Sequence, residues 1–100
     1  MNHQEHVNLI KKGVSGTGTW ADLGSGRGAF TLALADCLTA ESHIYSVDID
    51  QRALKTQEMR LQTEFPHIEA TLIQGDFTSP LELPPLDGIL MANSLHFDLR

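Results

Sequence analysis

Three glycines at alternate positions, Gly24, Gly26 and Gly28, end the apolar run Thr19-Trp20-Ala21-Asp22-Leu23, and a helical pattern follows at once. Glycine lacks a Cβ, so a ligand can approach such a loop closely, and positive φ costs little there. A glycine turn between a strand and a helix N-terminus makes a cofactor loop, and Ser25 lies inside it. Asp48 stands about twenty residues after Gly28, at the end of the next apolar run. That spacing suits a carboxylate gripping the two ribose hydroxyls of a nucleoside. Asp50, two residues on, is placed to cap a helix instead. Gly75-Asp76 is by itself a common turn dipeptide. His3, His6, His43 and His67 show no metal-ligand spacing with carboxylates or with Cys37, so no metal is expected.

These segments together resemble the class I S-adenosylmethionine (SAM) dependent methyltransferases. Asp22-Leu23-Gly24-Ser25-Gly26-Arg27-Gly28 is similar to their glycine-rich first motif. Val47-Asp48-Ile49-Asp50 resembles the acidic motif of the second strand, Gln74-Gly75-Asp76-Phe77 the adenine-binding motif, and Asp87 to Asn93 the fourth strand. The four occur in the family's order, from about Trp20 to Phe97, and stop where its fold is roughly half built. The resemblance implies SAM as cofactor and S-adenosylhomocysteine as its product. It implies Asp22, Gly24, Ser25, Gly26, Gly28, Asp48, Ile49, Asp76, Phe77 and Asn93 as cofactor-binding residues. Within it, Asp22 helps hold the cationic methionine end, or is a strand-end group satisfied by backbone. Asp76 accepts from the adenine amino group, the Phe77 N–H serves a ring nitrogen, and Ile49 packs on the adenine or is ordinary core. Asn93 and His96 fall where methyl acceptors bind, and are the candidate catalytic residues. A histidine there can act as a base toward an acceptor hydroxyl, or simply start a helix. Asn93-Ser94-Leu95-His96 departs from the Asn/Asp-Pro-Pro-Tyr pattern of enzymes that methylate amino groups of adenine, cytosine or glutamine. An NAD-binding fragment stays open, because Gly24, Gly26 and Ala29 also fit its Gly-x-Gly-x-x-Gly/Ala fingerprint. Asp22 and Asp76 favour SAM.

Helix and strand patterns alternate around these residues. Helices are expected over His6 to Lys12, with Val7, Leu9 and Ile10 inward, over Ala29 to Thr39, and from the Asp50 cap to about Glu64, with Ala53, Leu54, Met59 and Leu61 inward. Strands are expected over Trp20 to Leu23, Ile44 to Asp48, Ile68 to Gln74 and Gly88 to Ala92. Pro80, Pro84 and Pro85 make the stretch before the last strand a loop. Strand–helix alternation implies parallel strands joined by right-handed crossovers. The expected fold is α/β, Rossmann-like and doubly wound, with a mostly parallel sheet of order 3-2-1-4 truncated after strand four. Both long helices should then share one face, and the marked residues meet at the carboxyl edge.

The 100 residues suit one half-domain over 1–100, and 41% hydrophobic content argues against disorder. The single cysteine, Cys37, suits a reducing compartment and a buried structural role. No apolar run is long enough for a membrane span and no signal peptide is visible, so a cytoplasmic protein is expected. A net charge of −6 argues against a nucleic-acid partner, and together with the missing amino-methylating pattern it points toward a small-molecule methyl acceptor. An uncovered sheet face and an apolar strand-four edge suggest a homodimer. Methyl transfer is the expected function, weak or absent in the isolated chain. A SAM-binding module without turnover is the alternative.

Overall fold

Local sequence fixes each helix start. The Asn2 side chain accepts from the Glu5 backbone N–H at 2.9 Å, and Glu5 Oε1 accepts from the Asn2 N–H at 3.0 Å. This reciprocal cap satisfies two end donors, so α1 spans His3–Ile10 and begins earlier than the hydrophobic pattern suggests. Gly28, at φ 90°, leads into α2, Ala29–Cys37. Asp50 Oδ1 accepts from the N–H groups of Arg52 at 2.9 Å and Ala53 at 3.3 Å, which starts α3, Gln51–Glu64.

The computed structural model describes residues 1–91. Its strands are β1 (Thr19–Leu23), β2 (His43–Asp48), β3 (Glu69–Gln74) and β4 (Gly88–Leu90), in the order β3-β2-β1-β4, all parallel. The expected order therefore holds. β4 is shorter than expected, and Ala92 lies outside the described residues. Register places Asp22 beside Ser46 and Trp20 between Ile44 and Gly88.

The pleat sends Trp20, Asp22, Ile44, Ser46, Ala70 and Leu90 toward the helices. There Ile44 joins Leu32, Leu34, Leu38, Leu61 and Ile68 in the core, with Trp20, Ala70 and Leu90 packed against it. α1 docks on α2, and α2 on α3, so the described helices gather on this one face. The opposite face carries Leu23, Tyr45, Ile73 and Ile89, and Ile89 is 54% exposed. Two assignments of apolar faces fail. Leu9 and Met59 are exposed, because each helix turns a narrower stripe to the core than its apolar content allows. Cys37 is half-buried at the core margin, and that burial raises its thiol pKa, aided by Asp36.

The proline-bearing segment ends in a tie between β4 and β1. The Asp87 N–H donates to the Thr19 carbonyl at 2.7 Å, while Asp87 Oδ2 accepts from the Thr19 N–H at 2.7 Å. A Cβ on Gly88 would collide with the Trp20 ring, so only glycine lets the indole lie across β4.

Candidate cofactor site

The glycine loop hangs from the end of β2. Gly24 and Ser25 N–H groups both donate to the Val47 carbonyl, at 2.8 and 3.0 Å. Gly24, Gly26 and Gly28 all have positive φ, at 74°, 59° and 90°, so the alternate glycines of the sequence are required by backbone shape. The next N–H, that of Gly26, donates to Asp48 Oδ1 at 3.0 Å. Asp48 Oδ2 accepts from the Asp50 N–H at 2.9 Å. The loop and the β2 carboxylate are thus one hydrogen-bonded unit, and Asp50 serves α3 as expected.

Beneath the loop lies a buried polar network that the sequence reading missed. Thr31 Oγ1 donates to Asp22 Oδ2 at 2.7 Å and lies 3.5 Å from Ser46 Oγ. Ser46 Oγ lies 2.7 Å from Ser25 Oγ and 2.6 Å from Gln57 Oε1. Gln57 Nε2 reaches Ser25 Oγ at 3.0 Å and the Gly26 carbonyl at 2.8 Å. A signal for Gln57 was present: it falls between Leu54 and Leu61 on the inward stripe of α3, where a polar residue needs partners.

Asp22 is 2% exposed, and burial raises its pKa to about 6. The Thr31 hydroxyl opposes that rise, and the nearby Asp48 charge adds to it. A desolvated carboxylate with a second carboxylate near it forms a site suited to a cation. The methionine end of SAM is cationic and its ribose carries a diol, so Asp22 and Asp48 fit the group the sequence resemblance implies.

The other candidates sit farther out. The Gly75 N–H donates to the Asp48 carbonyl at 3.0 Å, which draws the end of β3 to the end of β2. Asp76 is exposed. Its Oδ1 accepts from the Thr78 N–H at 2.9 Å and hydroxyl at 2.8 Å, and these bonds lower its pKa. Phe77 is half-buried, and Ile49 is 70% exposed beside Asp48. Asn93 and His96 lie outside the described residues. A concavity of about 430 Å³ opens beside Gly26, Arg27, Asp48, Asp50 and Arg52, within the size range of ligand sites. A smaller cavity of about 190 Å³ lies between α3 and β3, away from the loop.

A protein-family profile described as a methyltransferase domain matches residues 21–100. The release factor glutamine methyltransferase of Moorella thermoacetica is 36% identical over 72 residues, which cover 72% of this chain and 25% of that protein. The chain therefore spans about a quarter of that relative's length. An S-adenosylmethionine-dependent methyltransferase from Clostridium acetobutylicum has a similar fold, with TM-score 0.67 and 18% identity over 89% of this chain and 36% of that one. So does aTrm5 in its complex with tRNALeu, with TM-score 0.68 and 21% identity over 88% of this chain and 24% of that one.

The last similarity corrects the expectation that nucleic acid is an unlikely partner. A protein solved on tRNA carries this same half-fold, with most of its length outside the shared part. Phosphate-binding charge can reside in that remainder, so net charge over the shared part excludes no acceptor. The preference for a small-molecule acceptor loses its argument from charge and keeps only the departure of Asn93-Ser94-Leu95-His96 from the amino-methylating pattern. Among the described residues no helix is long and apolar enough to cross a membrane. The glycine loop, its paired carboxylates, the 3-2-1-4 sheet and the match over residues 21–100 converge: the chain belongs to the class I methyltransferase-domain family, whose cofactor is S-adenosylmethionine.

Proposed function

We propose that the chain holds SAM along the carboxyl edge of β1, β2 and β3 and serves methyl transfer to an acceptor bound beyond β4. The observation that carries this reading is the bond from the Gly26 N–H to Asp48 Oδ1, with Asp22 buried close behind. When bound, the cofactor supplies an electrophilic methyl on a sulfonium sulfur, so the protein's task is placement and exclusion of water. Asp48 is oriented at both oxygens by backbone N–H groups and meets the ribose diol. Asp22 faces the cationic methionine end. Gly24 and Gly26 leave backbone where side chains would block approach, while Ser25 and Gly28 hold the loop's shape, Ser25 through its buried hydroxyl and Gly28 by leaving room for Gln57. The exposed Ile49 side chain offers an apolar surface to one face of adenine. Asp76 Oδ1 is held in its turn by Thr78, which leaves Oδ2 for the adenine amino group, next to the Phe77 N–H.

Asn93 and His96 are proposed on the acceptor side, His96 as a base toward an acceptor hydroxyl. The substrate of the glutamine methyltransferase is not carried over. Asn93-Ser94-Leu95-His96 lacks the two prolines and tyrosine of the amino-methylating pattern.

Calorimetric titration with SAM, S-adenosylhomocysteine and NAD tests the reading. The first two should bind, and Asp48→Ala should cost about 1.5–3 kcal/mol, the range for hydrogen bonds to a charged group. Equal affinity for NAD, or unchanged affinity in Asp48→Ala, would sink it.

A further inference from the structure

Gln57 belongs to α3, yet it reaches the glycine loop of β1 and is fully buried at 0% exposure. A buried primary amide is costly unless its donors and acceptor are matched. Here they are. Nε2 donates to the Gly26 carbonyl at 2.8 Å and to Ser25 Oγ at 3.0 Å, while Oε1 accepts from Ser46 Oγ at 2.6 Å. The amide can sit only one way round, because a backbone carbonyl only accepts and the nitrogen must face it. The stem of the side chain also fills the space beside Gly28, where an added Cβ would lie 2.6 Å from Gln57 Cβ. One side chain thus fixes Ser25, Gly26 and Gly28.

Gly26 is held from two sides. Its carbonyl is taken by Gln57, and its N–H by Asp48 Oδ1 at 3.0 Å. Rotation of Gly26 would move the donor that orients Asp48. Gly26 has no Cβ, which lets it adopt its positive φ but also leaves it more backbone freedom than any other residue type, so an external clamp has a purpose there.

We propose that Gln57 is a positioning residue for cofactor binding, which sets the Gly26 peptide and through it the Asp48 carboxylate. The proposal rests on the reading of the loop and Asp48 as the SAM site. Gln57 is fully buried beneath the loop, so its proposed action on the cofactor runs through Gly26.

Two variants separate this from a role in packing alone. Gln57→Met keeps length and volume but has no donor. Gln57→Glu keeps shape but places an acceptor opposite the Gly26 carbonyl until it is protonated. Affinity for S-adenosylhomocysteine, titrated well below each melting temperature, should fall at least about tenfold in Gln57→Met. The Gln57→Glu to wild-type affinity ratio should be low at pH 8 and recover toward one at pH 5.5, where the neutral acid can donate to the carbonyl. Without ligand, the Gly26 amide should exchange its hydrogen at least about tenfold faster in Gln57→Met by NMR, with β1 and β2 amides unchanged. A packing role would lower melting temperatures and leave affinity and Gly26 exchange as in wild type, which overturns the proposal. Should Gln57→Glu fail to fold, Gln57→Met alone decides. Should wild type bind no S-adenosylhomocysteine, the site reading fails, while Gly26 exchange still reports whether Gln57 sets the loop.

Discussion

A carboxyl group with pKa near 6 changes charge where proteins are commonly handled, and Asp22 is such a group. Its folded value lies above the ordinary 3.8. Neutral Asp22 therefore favours the fold, fully below pH 4, and this contribution is lost as pH rises through about 6. The loss is on the order of 3 kcal/mol. Asp22→Asn should then melt higher than wild type at pH 8, and the gap should close as pH falls toward 4, read by calorimetry. Binding runs the other way, because a cation prefers the ionised group. Wild-type affinity for SAM should weaken below pH 6 by up to about tenfold per pH unit, and Asp22→Asn should be weaker at pH 8 with a flatter profile. A flat wild-type profile would remove Asp22 from the methionine end. Asp22 and Asp48 were legible because charge at the end of an apolar strand has few other uses. Thr31, Ser46 and Gln57 were not, because a small or neutral polar residue looks the same in sequence whether it faces water or a buried partner.

Two acidic residues two apart at the end of β2 have divided work. Asp48 binds the loop and Asp50 caps α3. Asp50→Ala should lower stability by about 1 kcal/mol and leave S-adenosylhomocysteine affinity unchanged. Gly26→Val should abolish binding, since a branched side chain is strained at φ 59° and closes the approach. Melting and titration together separate the effects, and lost binding in Asp50→Ala at unchanged stability would reverse the assignment. Element type and order could be read from periodicity, but the ends could not always. α1 starts at a cap formed by Asn2 and Glu5, which lies outside its apolar pattern. The outward positions of Leu9 and Met59 follow from helix rotation, which is set by neighbours rather than by the helix itself.

The strand order followed from the doubly wound pattern, and the right-handed crossovers within it put α2 and α3 on one face, where α1 docks on α2. Alternation alone could not tell which side of β1 faces them. That side carries Asp22, and the pleat decides it through Trp20 and Ile44 in the core. A ligand that binds only the assembled edge should stabilise the whole unit. S-adenosylhomocysteine at a hundred times its Kd should add about 2.7 kcal/mol. For a domain of this size, that is a rise in Tm on the order of 10–20 °C, with none for NAD. A similar shift with both ligands would leave the glycine loop as the only shared determinant.

The indole that crosses Gly88 belongs to the chain's single tryptophan. Tryptophan emission, excited at wavelengths where the one tyrosine does not absorb, therefore comes from one place, the seam between β1 and β4. If β4 lifted away, the ring would lose its cover against the strand and emit at longer wavelength, while the helical circular dichroism stayed in place. Two optical signals from the unlabelled protein thus separate closure of the sheet at β4 from formation of the helical layer. Any order between the two events can be timed in a single refolding experiment.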